Sequence, residues 1–209
     1  MARWRHGSNP AGPMSTTRPR TTIGPVRRLG FAVNMALRMA IVAILADARA
    51  RPDDARYRGK GIGNRALVML PLSLVVPLWQ RGPRAKPHYP VWVDNLWLSI
   101  FALDLVGNYL DLYDSYRYFD AIPHSHGTGA ATVVAGELLD MPALSAIGLT
   151  QLAHVGLEAQ EYYSDVAFGL RNVRGTWDVV NDLLAGAVGA TLYGWLLARS
   201  RASAARRPE

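Results

Sequence analysis

Nearly all apolar residues of this 209-residue chain lie in six runs between two polar, basic ends. The runs cover residues 29–46, 66–79, 91–112, 127–139, 142–163 and 177–198. A helix that crosses a bilayer needs about 20 mainly apolar residues, and it satisfies its backbone hydrogen bonds within one segment. We therefore predict an all-α fold, a polytopic transmembrane helical bundle with about six spans. Because the second and fourth runs are short, five spans are the alternative.

The two ends differ in composition from this apolar region. Residues 1–28 are rich in Arg, Pro, Ser, Thr and Gly, and residues 199–209 consist mainly of Arg, Ala and Ser. Such segments have too few large apolar residues to build a core. We predict disordered, basic tails at 1–28 and 199–209 that flank a transmembrane helical domain at 29–198.

The distribution of positive charge indicates the cellular location. The net charge is +7, yet the Lys and Arg residues lie mostly at the ends and in short connections, without a basic helix face that carries interleaved aromatics. This argues against nucleic-acid binding and favours membrane lipid as the partner. With both termini in the cytoplasm, 13 Lys and Arg residues lie inside and nine outside, so we predict a multi-pass protein of the bacterial inner membrane. The segment 49–65 departs from the rule that Lys and Arg residues concentrate on the cytoplasmic side, since it holds six of the nine that lie outside.

A polar stripe runs through the fifth apolar segment. Gln151, His154, Glu158, Glu161 and Asp165 recur at steps of three and four. Since each residue of an α-helix turns about 100°, the five share one face. A charged side chain at bilayer depth costs roughly 2.5–3.5 kcal/mol on insertion scales and is usually retained for a function. We predict that this stripe faces the interior of the bundle.

Further polar residues occur near the same predicted membrane face. They are Asp104, Asn108 and Asp111 at the end of the third run, Asp120, His124 and His126 before the fourth, and Asp178 and Asp182 at the start of the sixth. Gly186 and Gly189 follow at helical spacing, which allows a neighbouring backbone to approach closely. We therefore predict that carboxylates and imidazoles of several helices converge on the non-cytoplasmic side.

A divalent metal site is one interpretation of this convergence. Because the chain has no cysteine, the ligands would be imidazoles and carboxylates of an ion such as zinc. The candidate ligands are His124, His126 and Asp120, with His154, Asp104 and Asp178 as further donors. His154 is isolated within its run, and this alone fits a hydrogen-bonded packing residue better than a ligand.

Two other interpretations stay open. Glu158, Glu161 and Asp165 could relay protons or ions, as in a small coupled transporter. Alternatively, the arginines that follow the fifth run could pair with the carboxylates in a buried network that sets only the helix register. In the first run, Arg38 is predicted to pair internally with one of the acids.

The C-terminal half resembles a known family. The elements are Asp120-x3-His124, Glu158-x2-Glu161-Tyr162, Gly175-x-Trp177-Asp178-x3-Asp182 and Gly186-x2-Gly189. They are similar to those of the bacterial inner-membrane family typified by YjdF and, more distantly, to VanZ-type proteins linked to glycopeptide tolerance. The resemblance covers roughly residues 90–195. This chain departs from the pattern at Ser125, where an aromatic residue is usual, and at Thr176, where an aspartate is usual.

The resemblance implies a membrane-embedded helical bundle and no particular substrate. The positions that it marks as important are Asp120, His124, Glu158, Glu161, Asp178 and Asp182. We predict a protein that binds lipid or cell-envelope material, or hydrolyses it with a metal. The candidate catalytic residues are Glu158, Glu161, Asp178 and Asp182, with one of the two glutamates as proton carrier. The alternative is a small proton- or ion-coupled transporter, or a non-catalytic structural membrane module.

Overall fold

The computed structural model describes residues 24–206, which form helices joined by loops and contain no strand. The helices are α1 (Pro25–Ala50), α2 (Ile62–Leu72), α3 (Val75–Trp79), α4 (Val91–Tyr109), α5 (Leu112–Ser115), α6 (Ala121–Leu139), α7 (Ala143–Phe168) and α8 (Thr176–Ala205). The predicted all-α fold is confirmed for this range. Each of the six apolar runs contains helix, with α2 and α3 sharing the second run.

Within residues 24–206, three helical segments are long and apolar enough to cross a membrane, namely Pro25–Ala50, Ile62–Trp79 and Thr176–Ala205. The second of these combines α2 and α3. Helices α4, α6 and α7 carry buried polar residues such as Asp94 and Glu158 between their apolar ones. Length and composition therefore support three spans, and six spans stay a prediction.

The terminal helices extend further than predicted. Helix α1 begins at Pro25 rather than at residue 29, and proline suits the first helical turn because its missing N–H has no intrahelical partner there. Helix α8 continues to Ala205, past the predicted end at residue 198. Alanine and arginine, both strong helix formers, are frequent in this extension. The remaining parts of the predicted tails, residues 1–23 and 207–209, lie outside the described residues.

The three long C-terminal helices pack against one another. Helices α6 and α8 run in the same direction, since Ser125 near the start of α6 lies against Gly189 in the middle of α8, and Gly136 lies against Leu197 further along both helices. Helix α7 runs in the opposite direction. As a result, the start of α6 and the N-terminal half of α8 meet the middle of α7, and this junction holds the candidate site.

Helices α1 and α4 form the other main packing pair. Ile41 and Leu45 of α1 share a buried core with Leu98 and Leu105 of α4. Each side chain that is removed from water in this way contributes roughly 1.5–3 kcal/mol. This pair is joined to the C-terminal helices through α4, which also packs against α6.

The outer surface of the molecule is rich in large apolar side chains. Leu67 on α2 is 82% exposed, Leu144 on α7 is 79% exposed and Val188 on α8 is 65% exposed. A soluble monomer rarely exposes large contiguous apolar patches, whereas lipid solvates such side chains. The surface is therefore compatible with a membrane protein.

Candidate functional site

Two histidines and three carboxylates meet where α6 and α8 begin beside α7. They are Asp120, which precedes α6, His124 of α6, His154 and Glu158 of α7, and Asp182 of α8. We call this group the histidine–carboxylate centre. Its five members come from segments far apart in the sequence, so the packing of the three helices brings them together.

Three ligand atoms of the centre form a compact triangle. Nδ1 of His124 lies 2.8 Å from Nε2 of His154 and 3.4 Å from Oε1 of Glu158. Nε2 of His154 lies 3.2 Å from the same glutamate oxygen. Around a tetrahedral zinc ion with bonds of about 2.0–2.2 Å, neighbouring ligand atoms lie about 3.3–3.6 Å apart. Small side-chain shifts would therefore place all three atoms in a metal's coordination shell.

The other ring nitrogen of His124 faces two carboxylates. Nε2 lies 3.3 Å from Oδ1 of Asp120 and 3.8 Å from Oδ2 of Asp182. A histidine that binds a metal through one nitrogen commonly donates its other N–H to a carboxylate, which sets the tautomer and the orientation of the ring. Asp120 and Asp182 occupy that supporting position.

Two buried atoms of the centre have no hydrogen-bond partner. Oε1 of Glu158 and Nδ1 of His154 are both buried and unpaired by hydrogen bonds, and the glutamate is only 4% exposed. Unpaired buried polar atoms are uncommon, because each loses its hydration without compensation. The triangle is therefore a place where a positively charged ligand would be stabilised.

Two glycines of α8 make this junction possible. A Cβ atom on Gly186 would lie 2.2 Å from Nδ1 of His154, and one on Gly189 would lie 1.8 Å from the backbone oxygen of Ser125. No side chain fits at such distances, so the imidazole of His154 and the first turns of α6 can reach α8 only because these residues are glycine. The predicted close approach at these two glycines is confirmed.

His126 has a different environment from the one predicted. Its Nε2 lies 2.8 Å from Oγ of Ser99, and its Nδ1 lies 2.9 Å from the hydroxyl of Tyr193. His126 therefore does not join the groups of ligand atoms that surround His124. The reason is helical geometry, since two residues separated by two positions in a helix project on different sides. In its place the fold supplies His154.

The other candidate residues lie around the centre. Glu161 is half-buried one turn after Glu158. Asp178 accepts a hydrogen bond from the backbone N–H of Arg174 at 2.8 Å, and Asp165 accepts two from the backbone of the loop that follows α7. These contacts hold Asp178 and Asp165 in loop-ordering roles at the edge of the site.

Asp104 belongs to a separate polar group beside the centre. Its carboxylate accepts hydrogen bonds from Arg65 at 3.0 Å and from the hydroxyl of Tyr113 at 2.8 Å. A carboxylate engaged by an arginine is already neutralised, so it is not available as a metal ligand. The sequence-based assignment of Asp104 as a further donor therefore finds no support in this geometry.

The loops at the same end of the bundle are tied by ion pairs. Nζ of Lys60, in the loop after α1, lies 2.6 Å from the carboxylate of Asp114 in α5. The hydrogen bond from Lys60 lowers the pKa of Asp114 below its ordinary value. The loop after α7 joins this group, since the N–H of Arg171 donates to the carbonyl of Gly59 at 2.8 Å.

The chain matches no family model, no curated protein and no solved structure. The resemblance to the YjdF-type and VanZ-type proteins therefore stays a prediction. Function has to be inferred from the geometry of the centre.

Proposed function

We propose that this protein is a multi-pass protein of the bacterial inner membrane that binds a divalent metal in its histidine–carboxylate centre and acts on lipid or cell-envelope material. The observation that carries the proposal is the triangle formed by His124, His154 and Glu158. Its edges of 2.8, 3.2 and 3.4 Å lie within about 0.5 Å of the ligand separations around a tetrahedral zinc ion, and the glutamate oxygen lacks a hydrogen-bond donor.

The donor set favours zinc or a similar ion. Two imidazole nitrogens and one carboxylate oxygen suit borderline metals better than magnesium or calcium, which prefer oxygen. Three protein ligands leave a fourth tetrahedral position free for water or substrate, as in catalytic zinc sites. A bound zinc ion would supply a Lewis acid and a water molecule whose pKa is near neutral.

The remaining residues of the centre have supporting roles in this proposal. The N–H at Nε2 of His124 would donate to Asp120, at 3.3 Å, and Asp182 lies 3.8 Å from the same nitrogen, so the two carboxylates would hold the ring with Nδ1 towards the metal. Glu161, one turn after Glu158, is the proposed proton carrier, because a half-buried carboxylate beside the site can take a proton from one group and deliver it to another.

The substrate class is proposed from the surroundings of the centre. It lies at the junction of helices whose outer faces are apolar, and α8 is long and apolar enough to cross a membrane. Substrates that dissolve in or attach to the bilayer reach such a site without leaving the membrane.

Metal analysis of the detergent-purified protein tests the proposal. We expect about one zinc-class ion per chain, and we expect His154→Ala and Glu158→Gln to lose it, because each removes one corner of the triangle. His126→Gln is the matched control: it changes a histidine of the same helix bundle that bonds to Ser99 and Tyr193 instead, so it should keep the metal. A metal-free wild-type protein, or loss of metal in the control alone, would contradict the proposal.

A proton relay is the second candidate function. Glu158, His124 and Asp120 form a continuous chain suited to proton transfer, because the two ring nitrogens of His124 lie 3.4 Å from Oε1 of Glu158 and 3.3 Å from Oδ1 of Asp120. In that case Glu158→Gln should stop proton movement in proteoliposomes, and a chelator should leave the wild-type movement unchanged. Sensitivity of the flux to the chelator would favour the metal site instead.

A further inference from the structure

We propose that a groove between α6 and α8 holds one hydrocarbon chain of a membrane lipid, with the polar end of that lipid at the histidine–carboxylate centre. The inference deepens the proposed function, on which it rests, by naming the kind of substrate and the side from which it enters. It depends on the shape of the groove, its opening and its position beside the centre.

The groove is a largely apolar depression of about 470 Å³. Its walls are formed by Ala121, Ile122, Ser125 and His126 of α6 and by Ala185, Val188 and Tyr193 of α8. The small side chains of the two alanines and the serine leave the space open. A volume of this size falls within the range of small-molecule sites, about 300–1,000 Å³.

The groove opens on the apolar outer face of the bundle. Ile122 on one wall is 53% exposed, and Val188 on the other is 65% exposed. Leu184 and Leu192, one turn before and after Val188, are exposed as well. Since α8 is a candidate membrane span, this opening faces the hydrocarbon of the bilayer.

One end of the groove adjoins the histidine–carboxylate centre. Ala121 directly follows Asp120, and Ser125 directly follows His124. On α8, Ala185 lies three residues after Asp182, which is less than one helical turn of about 5.4 Å. A polar group attached to a chain in the groove would therefore meet these carboxylates and the imidazole.

The far end of the groove offers no free polar group. His126 and Tyr193 form its floor, and their polar atoms are engaged with each other at 2.9 Å and with Ser99 at 2.8 Å. Groups whose hydrogen bonds are satisfied in this way present mainly their ring faces. From Asp182 to Tyr193 the helix rises about 16 Å, so the groove suits a molecule with one polar end and a long apolar end.

A lipid chain fits this groove better than a protein segment does. An α-helix with its side chains is about 10–12 Å wide, so a volume of about 470 Å³ holds only about one turn of such a helix. A single hydrocarbon chain is narrow and flexible, and the bilayer supplies it at high concentration. We therefore commit to a membrane lipid as the occupant.

Photo-cross-linking in lipid nanodiscs tests this assignment. The protein is reconstituted with phosphatidylethanolamine and phosphatidylglycerol that include a phosphatidylethanolamine with a diazirine on its acyl chain, and cross-links are mapped by mass spectrometry. We expect labelling at Ser125, which lines the groove. Ala185→Trp and Val188→Trp should reduce that labelling roughly tenfold or more, because an indole fills the space.

Leu152→Trp is the matched control, since it adds the same indole at a 70% exposed position of α7 that does not line the groove, and it should leave the labelling of Ser125 unchanged. Val188→Trp keeps the test decisive if Ala185→Trp does not fold, because its exposed position accepts a larger side chain. Equal labelling of Ser125 in the two groove variants and the control would overturn the groove assignment.

The metal content separates this inference from the proposed function. His154→Ala should lose the metal but keep the labelling of Ser125. Groove labelling in a wild-type protein without metal would uphold the lipid site and refute the metal centre. A wild-type protein with metal but without labelling at Ser125 would refute the lipid site alone.

Discussion

Helices α1 and α4 enclose a buried polar group, as α6, α7 and α8 do, and the two groups differ in how their charges are paired. In the first, Oδ2 of the fully buried Asp94 accepts hydrogen bonds from Arg38 and Asn34 at 2.7 Å each and from Tyr89. Asn34 also donates to Asn95. This confirms the prediction that Arg38 pairs with an internal acid.

In the histidine–carboxylate centre, the carboxylates meet imidazoles instead of an arginine. The nearest arginine, Arg174, lies 3.7 Å from Asp120 and is largely exposed, and Glu158 has ion-pair contacts only with His124 and His154 among the described residues. One carboxylate oxygen is unpaired by hydrogen bonds in each group, Oε1 of Glu158 and Oδ1 of Asp94, so the two groups differ in the cation beside the acid. The comparison teaches that an arginine neutralises Asp94 within the protein, whereas the imidazoles beside Glu158 carry a charge only when they are protonated and leave room for a cationic ligand.

The largest expected effect concerns the α1–α4 group. Arg38→Met leaves the buried carboxylate of Asp94 without its cation, which should reduce the free energy of unfolding by about 3–5 kcal/mol. The double variant Arg38→Met/Asp94→Leu should recover most of this loss, because it removes both charges. Unfolding in mixed detergent measures the free energy of unfolding of the single and the double variant. A double variant as unstable as the single one would mean that this pair contributes more than packing.

Gly186→Ala should have the next largest effect, on the centre. The added Cβ would lie 2.2 Å from Nδ1 of His154, so the imidazole must move out of the triangle. We expect metal affinity to fall about 10–100-fold, the range seen when the orientation of a ligand is disturbed. Gly156→Ala on α7 is the control, because its Cβ meets nothing within 4 Å. Equilibrium dialysis at increasing metal concentration gives the metal affinity of each variant. Equal affinities of Gly186→Ala and Gly156→Ala would contradict the assigned position of His154.

Glu158→Gln should change the free energy of unfolding in the opposite direction from Arg38→Met. In metal-free protein it removes an uncompensated buried charge, so the free energy of unfolding should rise by about 1–2 kcal/mol. Added zinc should then stabilise the wild-type protein, through preferential binding to the folded state, and leave the variant unchanged. Glu137→Gln is the control, since its carboxylate is 36% exposed and paired with Arg201. If Glu158→Gln destabilises the protein both without metal and with added zinc, the charge of Glu158 serves packing, as that of Asp94 does.

The smallest effect is expected in the loops beside the centre. The pKa of Asp114 is lowered by its hydrogen bond to Lys60, so the folded state favours the ionised carboxylate. This contribution is present above the ordinary pKa of 3.8 and is lost as the pH falls through the lowered value.

Because the Asp114 side chain is 56% exposed, Asp114→Asn should cost only about 0.2–1 kcal/mol near neutral pH. The difference from wild type should vanish in strong acid. Unfolding curves over a pH series measure it, with the exposed Asp53→Asn as control. A difference that grew on acidification would show that the pKa of Asp114 is raised instead.

Much of the helical framework follows from patterns that are local in the sequence. The six apolar runs predicted helices, and the steps of three and four placed His154 and Glu158 on one face, where both are buried. The glycines Gly186 and Gly189 marked the close contact of α8 with its neighbours. These features depend on spacing within one helix, and spacing is visible in the chain.

The ligand set of the centre was only partly predictable. The sequence predicts His124, Asp120 and Glu158 as site residues, but it favours His126 as a metal ligand and offers His154 only as a further donor that fits a packing residue better. The i, i+4 spacing of His154 and Glu158 is the one signal that could have corrected this, because it brings both side chains to the same patch of a helix. It could not show that His124 of another helix faces that patch.

The sequence alone determined that the described part of this chain is helical and contains segments apolar enough to enter a bilayer, since backbone and lipid impose a length and a period that single segments obey. Of the six predicted spans, three have the length and composition to cross a membrane among the described helices. Only the tertiary structure decided which imidazole meets which carboxylate. That choice depends on the rotation and crossing of α6, α7 and α8, which are set by side-chain packing across helices. The 2.8 Å contact between His124 and His154 joins residues 30 positions apart, and no local pattern records it.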